Sequence, residues 1–426
     1  MTQEAKKAHF IGIGGIGMSA LAQMMLGDGF RISGSDRGAG PVTELLESRG
    51  VTVIIGQKAE NVPADASVVV YSDAVSEDNP ERVRATELGI MQRSYFGMLG
   101  EVSKGKRTIA VSGTHGKTTT TGMLASILKD AGASPSAIVG SIVKDFGSNY
   151  LRGDSDLLVV EACEYRDHLL ELSPYVLVIN NLEWDHTDYF PSLGALQETF
   201  RKAIARVPEE GVIVTDPSNP NIAPLLAAAR ARIVDYTNEP AYELRLPGAF
   251  NQMNARAAAV AARIAFPSIT DDGIRSSLAS FQGTWRRFEY KGKSANGADV
   301  YDDYAHHPTA VKATLEALRA KTSGKVYVAF HPHLYSRTRD LLDEFASAFS
   351  DADYVFIAPI YAAREADDGS ISSEILAERI RATGVEAVAL DSFDAIERAL
   401  AEAGNGDTVM TMGAGDIYKV ADTLVS

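Results

Sequence analysis

The sequence of 426 residues contains one cysteine, Cys163, and no long apolar run. A single cysteine excludes an intrachain disulfide, which favours a reducing, cytoplasmic compartment. No stretch approaches the roughly 20 apolar residues that span a bilayer. The first 15 residues also lack the apolar core of a signal peptide. The sequence therefore predicts a cytoplasmic protein with no membrane partner.

Positive charge is also scarce: the chain has 41 lysines and arginines but 56 acidic residues, which gives a formal net charge of −15. This balance argues against general affinity for nucleic acid, although a local phosphate site remains compatible with it. The length exceeds one ordinary core and predicts two or three domains. Composition leaves the oligomeric state open between a monomer and a homodimer.

The most informative stretch covers residues 108–130, TIAVSGTHGKTTTTGMLASILKD. A β-branched run predicts a strand, and apolar spacing after the glycine-bearing loop predicts a helix. Loop N–H groups and a helix N-terminus bind anions, Lys117 can reach terminal phosphates, and Thr118 can ligate Mg²⁺. The general phosphate-loop pattern has a glycine where Val111 stands. We predict a phosphate site formed by Gly113, Thr114, His115, Gly116, Lys117, Thr118 and Thr119.

A second glycine motif lies near the N-terminus, with Gly12, Gly14 and Gly17 between a predicted strand and a predicted helix. Asp36 follows the next strand, where dinucleotide-binding folds place a ribose-binding acid. A pyrophosphate on the helix N-terminus is common to nicotinamide dinucleotides and UDP-sugars, so both ligands stay open. Asp36 and Arg93 could also be ordinary surface charges.

Polar side chains follow two predicted parallel strands of the middle segment. Glu161 follows residues 156–160, and His186 lies seven residues beyond the apolar run Val176–Ile179. The carboxyl ends of parallel strands share one edge of a sheet, so these side chains should approach Lys117 and Thr118. Oxygen ligands suit Mg²⁺, whereas His186 is a less usual ligand and could instead be a hydrogen-bonded loop histidine.

The last segment alternates predicted strands, among them Val326–Phe330, Tyr354–Ile357 and Thr408–Met412, with helices, which predicts another α/β domain. Four of the eight histidines fall between His306 and His333. They have no cysteine partner and no helical i, i+4 histidine pair, so their spacing does not favour a zinc site.

Several of these motifs resemble the Mur ligase family. The matching stretches are residues 113–118 (GTHGKT), 161–166 (EACEYR), 181–186 (NLEWDH) and 246–254 (LPGAFNQMN), in which Phe250 replaces the family's usual histidine. The resemblance implies an α/β protein of three domains. These are a Rossmann-like UDP-sugar domain (1–105), a central ATP-binding domain with a P-loop ATPase-type parallel or mixed sheet (106–284), and a Rossmann-like amino-acid domain (285–426).

The family chemistry implied here is amide formation. ATP phosphorylates the lactyl carboxylate of UDP-N-acetylmuramic acid, and an amine then attacks the acyl phosphate. Residues 12–18, 286–289, 302–308, 330–338 and 412–417 resemble the branch that uses L-alanine in peptidoglycan precursor synthesis. Residues 181–191 are similar to the sister branch that recycles murein tripeptide, which remains an alternative. A nicotinamide-dependent oxidoreductase and a non-catalytic, ATP-switched binding module are the alternatives from other classes.

The resemblance also implies roles for individual residues. The UDP-sugar site would comprise Gly14, Gly15, Ile16, Gly17, Met18, Ser35, Asp36, Ser72 and Arg93. ATP would contact Asn251, Asn254, Arg287 and Asp303 besides the phosphate loop, with the two asparagines holding adenine; Asn251 could cap a helix at the same time. Thr118, Glu161 and His186 would hold Mg²⁺, while Lys117, Arg287 and His306 would be catalytic. His306 and Arg337 would face the amino acid, and Leu334 replaces an arginine that many members carry.

Overall fold

A computed structural model describes residues 5–363 and 365–426 as three sheets covered by helices. The predicted α/β class with three domains is confirmed, and the strands Val176–Ile179, Val326–Phe330, Tyr354–Ile357 and Thr408–Met412 have the predicted bounds. Within those residues, no helix combines the length and apolar character needed to cross a membrane.

The first sheet is entirely parallel, with strand order β3-β2-β1-β4-β5. Its strands are β1 (Lys7–Ile11), β2 (Arg31–Asp36), β3 (Thr52–Ile55), β4 (Val68–Tyr71) and β5 (Met91–Ser94). Its helices are α1 (Ile16–Gly27), α2 (Pro41–Ser48), α3 (Pro80–Glu87) and α4 (Tyr95–Ser103), with a 3₁₀ turn at Ala59–Asn61. The glycine motif joins β1 to α1, as its sequence predicts.

The second sheet has seven strands in the order β12-β11-β10-β6-β9-β7-β8, and only β8 is antiparallel to its neighbour. The strands are β6 (Arg107–Ser112), β7 (Ser136–Val143), β8 (Ser148–Leu151), β9 (Leu157–Glu161), β10 (Val176–Ile179), β11 (Val212–Thr215) and β12 (Arg232–Asp235). The helices are α5 (Lys117–Asp130), α6 (Leu193–Arg206), α7 (Ala249–Ala265) and α8 (Asp271–Ser280). Three 3₁₀ segments, Lys144–Phe146, Tyr165–Glu171 and Ala223–Ala228, complete this region. The alanine-rich α7 packs closely on α5, which carries the phosphate loop at its N-terminus.

The third sheet has the order β13-β14-β18-β15-β16-β17, with β13 antiparallel to β14. Its strands are β13 (Glu289–Lys293), β14 (Asp299–Asp303), β15 (Val326–Phe330), β16 (Tyr354–Ile357), β17 (Glu386–Ala389) and β18 (Thr408–Met412). Its helices are α9 (Pro308–Arg319), α10 (Tyr335–Asp340), α11 (Leu342–Ala348), α12 (Ser373–Arg381), α13 (Phe393–Leu400) and α14 (Tyr418–Leu424).

The buried apolar clusters show which domains share a hydrophobic core. One cluster runs without interruption from Phe10 and Leu21 of the N-terminal domain to Ile138, Tyr150 and Leu158 of the central sheet. The opposite face of the central sheet packs on α5 and α7. The C-terminal sheet has separate clusters on its two faces. The N-terminal and central domains therefore share a core, whereas the C-terminal domain has its own.

Candidate functional site

A cavity of about 520 Å³ lies where the central and C-terminal domains meet. Its walls come from the phosphate loop, from the chain beyond β9 and β10, from the start of α7, and from loops of the C-terminal domain. It lies at the carboxyl ends of β6, β9 and β10, the ligand-binding edge of open α/β sheets. Fourteen residues predicted for ATP, metal or amino acid line this cavity, namely Thr114, His115, Gly116, Lys117, Thr118, Thr119, Glu161, His186, Asn251, Asn254, Arg287, Asp303, His306 and Arg337.

Two glycines shape the loop before α5. Gly113 has φ +124° and Gly116 has φ +79°, values that side-chain-bearing residues rarely adopt. A Cβ at Gly113 would lie 2.8 Å from the carbonyl oxygen of Asn181, and one at Gly116 would overlap the Asn254 amide. No side chain caps the N-terminus of α5, so its first N–H groups can bind an anion.

Lys117 lies in this cradle, with its amine near the carbonyl oxygens of Gly113 and Thr114 and 3.0 Å from a carboxylate oxygen of Glu164. Burial favours the neutral amine, but the buried Glu164 carboxylate raises the pKa of Lys117 above its usual value. Lys117 therefore carries a positive charge where terminal phosphates would lie.

Oxygen ligands converge beside Lys117. The Thr118 hydroxyl donates to Oε1 of Glu161 at 3.0 Å, and the other carboxylate oxygen accepts from the Gly140 N–H at 2.7 Å. This hydroxyl and carboxylate pair fits a hard cation such as Mg²⁺. His186 lies differently, with Nε2 3.7 Å from Oε1 of Glu164 and its ring beside Tyr165.

Arg287 reaches the phosphate loop from the C-terminal domain. Its Nη2 donates to the Thr118 hydroxyl at 3.2 Å, and its guanidinium lies over the Tyr304 ring. Asp303 supports this loop, since its two carboxylate oxygens accept from the N–H groups of Phe288 and Ala305. Burial raises the pKa of Asp303, against the opposing effect of Arg287. Asp303 thus orders the loop that presents Arg287.

Asn251 and Asn254, the two asparagines predicted for adenine, lie beside Gly116 of the phosphate loop. The Asn251 amide donates to the Pro247 carbonyl at 2.7 Å, and Asn254 donates to Asn251 at 3.2 Å. The N-cap of α7 is Gly248, and no side chain caps it, so the prediction that Asn251 is a helix cap is wrong. Both asparagines line the cavity with part of their hydrogen-bonding capacity unused.

His306 is a neutral imidazole in the cavity wall. Its Nδ1 lies 2.9 Å from the Tyr304 carbonyl, which can only accept, so Nδ1 carries the proton and Nε2 the lone pair. Burial, followed by the charge of Arg337, lowers the pKa of His306 well below its usual value. This geometry suits a hydrogen-bond acceptor for an incoming amine.

Arg337 lines the cavity but is bound to another side chain, whereas Leu334 lies outside the cavity wall. Nε and Nη2 of Arg337 both donate to Oδ1 of Asp185, at 3.0 and 2.7 Å, so its planar fork is already occupied. Burial alone would raise the pKa of Asp185, but Arg337 holds it well below its usual value. Leu334 is fully buried at φ +74° and lies outside the cavity wall, so this position presents no side chain to a ligand.

All nine residues predicted for the UDP-sugar lie outside this cavity, around the N-terminus of α1 and the neighbouring strand ends. The Gly14 N–H donates to Asp36 at 2.8 Å, and a Cβ at Gly17 would meet the Tyr95 ring. Gly15 is the N-cap of α1, which no side chain caps, Ile16 begins the helix and Met18 is buried in it. Ser35 donates to buried Glu81 at 2.7 Å, Ser72 lies against Gly12, and Arg93 is exposed on edge strand β5. The loop backbone can therefore take a pyrophosphate, but the Ser35 hydroxyl is already used.

Several residues of the site were missed by sequence reasoning. Glu164 pairs with Lys117, Glu183 contacts His115 and Thr309, and the backbone of Trp184 contacts His307. Glu183 and Glu164 lie within recognised motifs, but nothing in their spacing indicates partners in distant segments. The first two contacts need the folded central domain, and those with Thr309 and His307 also need its packing on the C-terminal domain.

Fold, cradle and cavity together define a three-domain α/β protein with an anion-binding cavity between its central and C-terminal domains. Family models agree, with the Mur ligase family catalytic domain matching residues 7–107, the Mur ligase middle domain 111–242, and the Mur ligase glutamate ligase domain 286–415. The chain belongs to the Mur ligase family.

Individual relatives narrow this class. A Clostridium botulinum protein named UDP-N-acetylmuramate–L-alanine ligase is 39% identical over 99% of this chain and 98% of its own length. The crystal structure of UDP-N-acetylmuramate–alanine ligase from Thermotoga maritima superposes with a TM-score of 0.81 at 26% identity, covering 98% of each chain. A murein peptide ligase from Psychrobacter arcticus has a TM-score of 0.75 at 23% identity, over 99% of this chain and 100% of its own, and shares the fold.

Proposed function

We propose that this chain joins L-alanine to the lactyl carboxylate of UDP-N-acetylmuramic acid at the expense of ATP, in peptidoglycan precursor synthesis. The observation that carries the proposal is a phosphate cradle facing an amine-accepting His306 across one cavity, in a chain similar along its length to alanine ligases. A cytoplasmic setting, with small-molecule substrates and a monomeric or homodimeric enzyme, completes the proposal.

The first step transfers the γ-phosphoryl group of ATP to the lactyl carboxylate, giving an acyl phosphate and ADP. A carboxylate is a poor electrophile, and phosphorylation supplies the leaving group that direct amination lacks. Lys117 and the loop N–H groups hold the phosphates, while Arg287 offsets negative charge on the transferring group. Asn251 and Asn254 provide amide groups for the adenine edge.

Mg²⁺, when bound, neutralises phosphate charge, and Thr118 with Glu161 is the pair that fits it. His186 is the proposed third ligand. Alanine at Glu161 or His186 should raise the Mg²⁺ concentration for half-maximal activity more than alanine at Asp188, which receives the Tyr165 hydroxyl. Equal Mg²⁺ dependence in all three variants would remove His186 from the ligand set.

In the second step the amine attacks the acyl carbon, and phosphate leaves the tetrahedral intermediate as the amide forms. Nε2 of His306 can accept a hydrogen bond from this amine, because Nδ1 is tied to Tyr304. Arg337, held by Asp185 and His333, supports the amino-acid side of the cavity and keeps one N–H that can donate to a carboxylate. The UDP group would lie on the glycine loop before α1.

Phosphate release measured with ATP, UDP-N-acetylmuramic acid and a panel of amines tests the proposal. L-alanine should give the highest kcat/KM, ahead of L-serine and glycine. A higher kcat/KM for the murein tripeptide would identify a recycling ligase instead. Phosphate release that needs no amine would favour an ATP-switched binding module. NADH binding in a fluorescence titration would favour the oxidoreductase alternative.

A further inference from the structure

Three metal-ligating side chains meet at the rim of the cavity, away from the Thr118 and Glu161 pair. The ligating atoms of His115, Glu183 and His307 all lie within 4.8 Å of one another. Nε2 of His115 is 3.2 Å, and Nδ1 of His307 is 3.8 Å, from the same carboxylate oxygen of Glu183. His115 belongs to the predicted phosphate loop, but the proposed reaction assigns no step to any of these three side chains.

The three side chains come from separate parts of the fold. His115 belongs to the phosphate loop, Glu183 follows β10, and His307 is the N-cap of α9 in the C-terminal domain. The cluster therefore exists only while the central and C-terminal domains are in contact.

The surroundings of the cluster orient its lone pairs. Nε2 of His307 lies 3.2 Å from the Trp184 carbonyl, so this nitrogen carries the proton; the Nδ1 lone pair accepts from the Thr309 N–H at 3.4 Å, and Nδ1 lies 3.8 Å from Glu183. The Thr309 hydroxyl donates to Glu183 at 2.6 Å and fixes the carboxylate. A carbonyl behind an imidazole and a hydrogen bond to a carboxylate are the usual supports of metal ligands.

We propose that His115, Glu183 and His307 form a binding site for a transition-metal ion of the Zn²⁺ type, which bridges the central and C-terminal domains. Two imidazole nitrogens with one carboxylate oxygen suit Zn²⁺, whereas Mg²⁺ prefers oxygen ligands throughout. Tetrahedral ligands about 2 Å from Zn²⁺ stand roughly 3.3 Å apart, so His115 and Glu183 already have the required separation. For His307 to become the third ligand, its Nδ1, now 3.8 Å from Glu183, would exchange the hydrogen bond from the Thr309 N–H for the metal ion.

The consequence is a second kind of metal site in one cavity. Glu183 is the most exposed of the three side chains, at 36%, which leaves a fourth coordination position open to the cavity. A bridging ion would oppose separation of the two domains.

Cobalt provides a direct test, because four-coordinate Co²⁺ absorbs visible light far more strongly than six-coordinate Co²⁺. The full-length protein is titrated with Co²⁺ in excess Mg²⁺, which occupies the oxygen-rich site. We expect an intense spectrum that saturates at one equivalent and is removed by Zn²⁺. His307→Gln, which can still cap α9, and Glu183→Gln should each weaken Co²⁺ binding at least about tenfold.

His306→Gln is the matched control, since it removes the neighbouring imidazole in the same cavity and should leave the spectrum unchanged. Thermal unfolding gives a second measurement, in which Zn²⁺ should raise the Tm of the wild type and not that of His307→Gln. Circular dichroism checks that each variant is folded. A missing four-coordinate spectrum, or one that survives both cluster substitutions, would overturn the proposal. Neither measurement uses substrates, so the outcome is independent of the proposed ligase reaction.

Discussion

The central domain meets its two neighbours through surfaces of different chemistry. Toward the N-terminal domain, buried apolar side chains form one continuous cluster, supplemented by bonds such as Gln23 to Asn149. Toward the C-terminal domain, many of the contacts are polar or charged, such as Thr118 with Arg287 and Glu183 with Thr309.

The apolar interface is suited to holding two domains together, whereas the polar interface is suited to binding ligands. An apolar interface is stabilised over its whole area and has no preferred polar partner, so it suits two domains that stay together. A polar interface needs correct geometry at each contact, and the same groups can exchange their protein partners for ligand atoms. The cavity proposed for ATP and the amine lies at the polar interface, where substrates could replace protein contacts as the site assembles.

The largest expected effect comes from Lys117 at the polar interface. Lys117→Ala should lower phosphate release at least about 1,000-fold, since it removes a charge placed at the transferring phosphoryl group. Calorimetric titration should find UDP-N-acetylmuramic acid binding nearly unchanged, because that site is proposed in the N-terminal domain. Lys129→Ala, at the exposed end of the same helix, is the control.

Lys117→Ala also leaves the buried Glu164 without its ion-pair partner. The double variant Lys117→Ala/Glu164→Gln removes that uncompensated charge and should remain inactive while folding normally. Loss of sugar binding in this folded variant would show that the two ligand sites are assigned to the wrong domains.

The next effect concerns the ion pair of Asp185 and Arg337. Arg337→Ala leaves a buried carboxylate unpaired, and we expect a loss of about 3–5 kcal/mol in unfolding free energy together with a higher KM for L-alanine. Denaturant unfolding and steady-state kinetics measure the two quantities.

The double variant Asp185→Ala/Arg337→Ala distinguishes a positioning role of Arg337 from direct contact of Arg337 with the amino acid. It should regain most of the stability, because no charge is left unpaired. If its KM for L-alanine stays as high as in the single variant, Arg337 touches the amino acid; a recovered KM would identify Arg337 as a positioning residue.

The apolar interface is tested with Leu158, which is fully buried on β9 in the cluster shared with the N-terminal domain. Leu158→Ala should cost about 2–5 kcal/mol and lower hydrogen-exchange protection in both domains. Val159→Ala, on the opposite face of the same strand, should lower protection in the central domain alone. Identical exchange patterns would contradict a shared core.

The smallest effect is a pH dependence in the C-terminal domain. Burial lowers the pKa of His331 from the usual 6.5 to about 4, so the unfolded chain binds a proton before the folded one does. Stability should be complete above pH 6.5, fall by up to about 3 kcal/mol toward pH 4, and then level off.

His331→Gln removes this titration and should flatten the decline in stability between pH 6.5 and 4. Unfolding free energies at several pH values measure the slope. A decline of equal steepness in the variant would assign the effect to other groups.

The sequence by itself determined the division into three domains through its family resemblance, and it determined the α/β class and the phosphate loop directly. Both follow from local rules, because buried parallel strands are continuous apolar runs, as in Val176–Ile179, and a cradle needs glycine at 113 and 116. The sequence also predicted which side chains would line the cavity, because the carboxyl ends of parallel strands lie at one edge of a sheet.

Tertiary structure alone decided which side chains are already paired. Arg337 is engaged by Asp185, 152 positions away, and Lys117 by Glu164, 47 positions away. It also buried Leu334 beside the cavity and brought His115 and Glu183 to His307. Sequence spacing carries no information on such contacts, because they depend on how distant segments and domains pack and on the desolvation that makes each buried charge require a partner.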